Sequence, residues 1–257
     1  SASAAEIVAG VVQDYDRGVL VGRKTYGKGL VQQTRPLAYN AQLKVTTAKY
    51  YIPSGRCIQA IDYSTKGTAK IADSLKSTFR TKSGRAVLDG GGVDPDILID
   101  PSKFALVSYR LKQKNLIFNY ATKYYFDHDT LASARDFELS ELEFQQFLAW
   151  LENQSFDYQT PLEIKLEQVL DLAKAGARSE QVHQSIIELN ALLQSEKKKD
   201  LIHYESEIKQ LLEQDIVSRY FFQEGIIEAS FDTDLDILKA VEILEDTESY
   251  DGILKPN

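Results

Sequence analysis

The chain has 257 residues, 43% of them hydrophobic and 26% charged, with a formal net charge of −8, a size that can bury one or two substantial cores. No apolar run approaches the roughly 20 residues that span a bilayer, and the single cysteine, Cys57, excludes an internal disulfide and a multi-cysteine zinc site. Residues 1–100 carry 14 Lys/Arg and 9 Asp/Glu and residues 101–257 carry 16 and 29, an asymmetry that predicts two domains and argues against a nucleic-acid surface on the acidic half.

The first predicted element is a helix from Ser3 to Asp16. Ser3 and Glu6 have capping-box spacing, Ile7, Val11 and Val12 supply an apolar stripe, and Gly18 closes it. Val19–Val21 reads as a short buried strand. Arg23–Gly29 is a polar, glycine-bearing loop. Leu30–Thr34 and Gln42–Tyr51 read as strands, with Tyr39-Asn40 as the turn between them. Residues 64–85 read as polar and irregular, with one short helix over Ala72–Phe79. Gly90-Gly91-Gly92 and Asp94-Pro95-Asp96 form a tight loop before a last short strand, Ile97–Ile99. These strands are too few for a sheet of ordinary size, so residues 1–100 look like part of an α/β domain.

After Pro101 the pattern becomes amphipathic and helical. Helices are predicted over Phe104–Phe126, Ser140–Glu152, Thr160–Lys174, Glu180–Gln194, Asp200–Gln223 and Leu235–Leu244. Ser140 with Glu143 and Thr160 with Glu163 repeat the capping-box spacing, the latter with Pro161 at the first helical position. The aromatic group Phe118, Tyr120, Tyr124, Tyr125 and Phe126 is expected in the core. Lys197-Lys198-Lys199 is expected to be a solvated loop, and Cys57 a structural thiol.

The chemistry-bearing residues lie at the start. Ser3 sits at the mouth of the first helix, and Lys28 lies between two glycines after the next strand. A serine hydroxyl is a weak nucleophile until a base takes its proton. The three histidines, His128, His183 and His203, are all far downstream and not at metal-ligand spacing. A Ser-Lys pair is therefore the available arrangement, and it needs neither metal nor cofactor. Taken singly, each residue has a plainer role: Ser3 a helix cap, Gly-Lys-Gly a surface turn, Gln32 a solvent-facing strand residue. Gly-Lys-Gly also lacks the spacing of a phosphate loop.

Taken in order, Ser1-Ala2-Ser3-Ala4-Ala5-Glu6-Ile7, Thr25-Tyr26-Gly27-Lys28-Gly29-Leu30-Val31-Gln32, Tyr51-Ile52-Pro53-Ser54-Gly55-Arg56 with Ile58-Gln59, and Gly90-Gly91-Gly92-Val93-Asp94-Pro95-Asp96 resemble the carboxy-terminal processing, or tail-specific, serine proteases. The resemblance covers about residues 1–100. It implies that Ser3 is the nucleophile, Lys28 the general base, Gln32 the group that orients the lysine, and the Ala4 amide one donor of the oxyanion hole. Ala5 departs from the family, which often has serine there. The implied chemistry requires an uncharged Lys28 amine, favoured by burial and by the positive end of the first helix.

The resemblance further implies a crotonase-like or Clp-protease-like fold for the domain to which residues 1–100 belong, followed by a helical C-terminal extension over 101–257. It implies protein or peptide substrates cut near their C-termini, an upstream PDZ domain, and a periplasmic or cell-envelope location in a bacterium. With no methionine in the chain and a motif at its first residues, we expect a C-terminal portion of a longer protein, inactive by itself. The alternative is a catalytically dead scaffold or adaptor whose helical domain binds proteins or self-associates.

Overall fold

In the computed structural model, residues 2–63, 69–101, 103–176 and 179–255 are described. They fall into two compact units. The first comprises residues 1–101 together with 233–257, and the second residues 102–232. This differs from a division at 100, because the last stretch of the chain rejoins the first unit.

The first unit begins with α1 (Ala4–Asp14), as the capping spacing predicts. A parallel strand pair follows: β1 (Val21–Gly22) lies beside β8 (Ile97–Leu98), with Val21 opposite Ile97; it is half-buried rather than buried as expected, and Leu98 is exposed. The Leu20 carbonyl extends this pairing, accepting from the Asp96 and Ile97 amides at 2.8 and 3.0 Å. Between them β2 (Leu30–Pro36) and β3 (Gln42–Lys49) form an antiparallel hairpin with a bulge between Val31 and Gln32. Its connection carries Tyr39 and Asn40 at φ 58° and 59°, the left-handed turn geometry that Asn tolerates. Two smaller antiparallel pairs complete the strands: β4 (Ile61–Asp62) with β5 (Ala69–Lys70), and β6 (Thr78–Arg80) with β7 (Ala86–Leu88). A small core of Ile52, Ile58 and Val93 is flanked by Leu20 and Tyr50.

The helix expected over Ala72–Phe79 is not there. A single 3-10 turn spans Asp73–Leu75, and Thr78 and Phe79 belong to β6. The turn chemistry that follows decides this. Gly84 at φ 98° closes a turn by donating to the Thr81 carbonyl at 3.0 Å, which folds β7 back on β6. Of the stretch read as irregular, residues 64–68 lie outside the described residues.

The second unit is helical: α2 (Leu106–Gln113), α3 (Leu116–Asp127), α4 (Glu141–Glu152), α5 (Pro161–Ala175), α6 (Glu180–Lys197), α7 (Asp200–His203) and α8 (Glu205–Ser230). Both downstream capping boxes form. The helix expected over Phe104–Phe126 is cut in two at Asn115, whose φ of 57° is a conformation Asn adopts more readily than other side-chain-bearing residues. The core is one cluster containing Val107, Leu111, Ile117, Phe144, Phe147, Ile208, Leu212 and Ile216.

Two local expectations need correction in this unit. Tyr120 and Tyr124 are buried, one helical turn apart, but Phe118, Tyr125 and Phe126 are exposed, because a helix in contact on one face cannot bury all five. Lys197 is not solvated. Its ammonium is paired with Glu163 at 2.9 Å and Asp157 at 3.0 Å and donates to the Tyr158 carbonyl at 2.7 Å. Lys198 and Lys199 are exposed, as expected of the whole run.

The chain then returns to the first unit through α9 (Leu235–Glu245) and α10 (Thr247–Leu254). Ser83 Oγ donates to the Leu254 carbonyl at 2.8 Å, and the Asp236 carboxylate lies against Gly22 of β1. Among the described residues no helix is long and apolar enough to cross a membrane.

Candidate active site

The first turn of α1 is built around a strained serine. Ser3 has φ 54° and ψ −115°, a region costly for any residue with a side chain, by about 1–3 kcal/mol. Such strain persists where neighbours over-determine it, and here they do. The Ser3 amide donates to Glu6 Oε2 at 2.7 Å, and the Ser3 carbonyl accepts from the Glu6 and Ile7 amides at 2.9 and 3.2 Å. The Ala4 amide faces the helix mouth and takes no partner among the described residues. It is one of the unsatisfied first-turn donors that suit an anion.

Glu6 does more than cap. It is fully buried, and its carboxylate accepts from four donors: the Ser3 amide, the Thr25 hydroxyl, the Gly27 amide at 2.7 Å and the Lys28 amide at 2.8 Å. Burial alone would push its carboxyl up; the hydrogen bonds from Thr25, Lys28, Gly27 and Ser3 outweigh that and hold it below the ordinary carboxylate range. One buried charge thus ties the serine turn to the lysine loop. The expectation from sequence stopped at the capping box, because a spacing of three residues reveals the local bond and not the partners about twenty residues on.

The loop is shaped by two close approaches. Gly27, at φ 86°, packs so near Ala60 that a Cβ would sit 2.4 Å from that methyl, and a Cβ on Gly92 would sit 2.5 Å from the Thr25 carbonyl oxygen. Side chains at either position would push the loop off Glu6. The loop is secured further by Gly27 accepting from the Ala60 amide at 2.9 Å and by Gly29 donating to Gln59 Oε1 at 2.9 Å.

Ser3 and Lys28 are therefore brought together through their backbones. Their side chains are not joined: no hydrogen bond links Ser3 Oγ to the Lys28 amine among the described residues, and Lys28 is exposed. The burial expected around that amine is not supplied by the described residues. Gln32 is exposed on β2 with no side-chain partner among them. Ala4 is exposed at the helix mouth. Cys57 is a half-buried free thiol. Among the described residues no group of three or more His, Cys, Asp or Glu is placed to hold a metal ion.

Behind the site, the far end of α1 is anchored by buried charge. The Arg56 guanidinium, fully buried, donates to Asp14 Oδ1 at 2.9 Å and Gln13 Oε1 at 2.7 Å. Arg85 binds Asp16 at 2.7 Å and Asp96 at 2.5 Å. These pairs fix the helix carrying Ser3 to the segments around Arg56 and Asp96.

The peptidase family S41 model matches residues 1–66, which contain Ser3, Ala4, Glu6, Lys28 and Gln32. The model of the probable PDZ-protease C-terminal helical domain matches residues 107–244, more than half of the chain. The chain belongs to the carboxy-terminal-processing protease family. Among family members, the carboxy-terminal-processing protease of Bartonella bacilliformis is 54% identical over 61 residues, 24% of this chain and 14% of the relative. The carboxyl-terminal-processing protease of Synechocystis is 53% identical over 53 residues, 21% and 12% of the two chains. The chloroplastic carboxyl-terminal-processing peptidase 3 of Arabidopsis thaliana is 38% identical over 89 residues, 34% and 17%. The chain thus spans less than a fifth of the length of these relatives.

Proposed function

We propose that residues 1–257 carry the nucleophile and base of a serine endopeptidase that cuts protein substrates near their C-termini. Ser3 attacks the peptide carbonyl, Lys28 takes its proton and returns it to the leaving amine, and Gln32 orients the lysine. The Ala4 amide supplies one donor to the oxyanion. The observation that carries this is the Glu6 carboxylate, which binds the Ser3 and Lys28 amides at 2.7 and 2.8 Å and so assembles two sequence-distant segments into one site. The strained Ser3 backbone and the similarity to carboxy-terminal-processing proteases support the same conclusion.

The remaining parts follow from the family. The complete catalytic domain takes a crotonase-like or Clp-protease-like fold, an upstream PDZ domain captures substrate C-termini by strand addition, and the protein works in the bacterial periplasm or envelope. Residues 1–257 alone are inactive, since Lys28 is exposed and the burial its neutral form needs comes from elsewhere. Turnover of an unfolded test protein by the intact protein is expected to disappear in Ser3→Ala and in Lys28→Ala. Retained turnover in the lysine variant removes the base assignment. Loss of fluorophosphonate labelling at Ser3 in the wild type leaves the scaffold alternative.

A further inference from the structure

We propose that Tyr50 is a positioning residue of this acyl-transfer site, holding the Ser3 hydroxyl against the Lys28 peptide; the proposal rests on the serine-protease function above. Tyr50 directly follows β3 and is itself fixed. Its amide donates to the Gly29 carbonyl at 3.1 Å, and it packs against the Ile52, Ile58 and Val93 cluster. Its hydroxyl donates to the Lys28 carbonyl and lies 3.5 Å from Ser3 Oγ.

Two clips therefore join the same pair of residues. Glu6 takes the amide of Lys28 and the amide of Ser3. Tyr50 takes the carbonyl of Lys28 and faces the hydroxyl of Ser3. A phenol has one proton, and the nearer Lys28 carbonyl receives it. The phenol oxygen then offers its lone pairs to the serine proton. That contact sits at the long edge of hydrogen-bonding range, as catalytic contacts often do before substrate tightens them. Accepting the proton selects one rotation of the Ser3 side chain, so that the oxygen is already aimed when the lysine amine takes over. An aimed nucleophile saves the search that a freely rotating hydroxyl must make.

The test is Tyr50→Phe in the intact protein, which keeps the ring and removes only the hydroxyl. The rate of fluorophosphonate labelling at Ser3 and kcat on an unfolded protein are each expected to fall by up to about tenfold, the upper end of what one lost neutral hydrogen bond contributes. KM should stay within about twofold, and the pH profile of labelling should keep its shape at lower height. Wild-type labelling and kcat in the variant overturn the proposal. So does a defect that vanishes when both proteins are compared equally far below their melting temperatures, because that marks a packing role. Absence of Ser3 labelling in the wild type overturns the serine-protease function itself, an outcome separate from a silent Tyr50→Phe.

Discussion

At the scale of single residues, Glu6 has the greatest influence on the site. Glu6→Gln would put an amide NH2 among donors that now converge on a carboxylate, leaving at least one buried donor unpaired. The expected cost is about 1–3 kcal/mol, read as a lower denaturation midpoint together with slower Ser3 labelling. Its pH dependence has a definite sign. The folded carboxyl titrates below its ordinary value, so its contribution is complete above about pH 4.3, the unfolded value, and is lost as pH falls through the folded one. Stability should therefore drop more steeply below pH 4 in the wild type than in Glu6→Gln. Motif order points to Ser3, Lys28, Gln32 and Ala4 as the proposed site. Thr25 and Tyr50 were not singled out, because a threonine or a tyrosine in a strand-rich segment has many ordinary uses.

At the scale of elements, capping and turn chemistry set most boundaries. The boxes at Ser140 and Thr160 start α4 and α5 where their spacing predicts. Asn115 divides what periodicity alone would leave continuous, and Gly84 turns β7 back on β6. Phe222 is the exception: it stands inside α8 at φ 56° and ψ −147° and is 75% exposed. Glycine accepts that conformation without strain, and little burial is lost. Phe222→Gly is expected to relieve about 1–3 kcal/mol of strain against roughly 1 kcal/mol of added unfolded-chain entropy. Its thermal midpoint should not fall; a fall of several degrees would show that the exposed ring contributes packing in the native helix.

At the scale of the molecule, α1 is held by charge at its far end. Breaking a buried ion pair by removing one partner typically costs about 3–5 kcal/mol. Arg56→Ala, which strands the Asp14 carboxylate, should lower the midpoint of the unit formed by residues 1–101 and 233–257, followed by urea unfolding. Deletion of α9 and α10 should destabilise that same unit, since Ser83 and Gly22 contact them. The unit of residues 102–232 should keep its transition. A deletion that moves only the helical unit's transition would contradict the division.

Local order was determined by the sequence itself: where α1 starts, where the hairpin turns, and which helices carry capping boxes. Each depends on neighbours three or four positions away, and such patterns are printed along the chain. Tertiary structure decided what lies across the fold. It brought Glu6 to the Lys28 amide and Tyr50 to the Lys28 carbonyl, paired Lys197 with Glu163 and Asp157, and returned α9 and α10 to the first unit. An apolar stripe or a charge announces that it needs a partner; only the packed chain determines which partner, because many distant groups satisfy the same need.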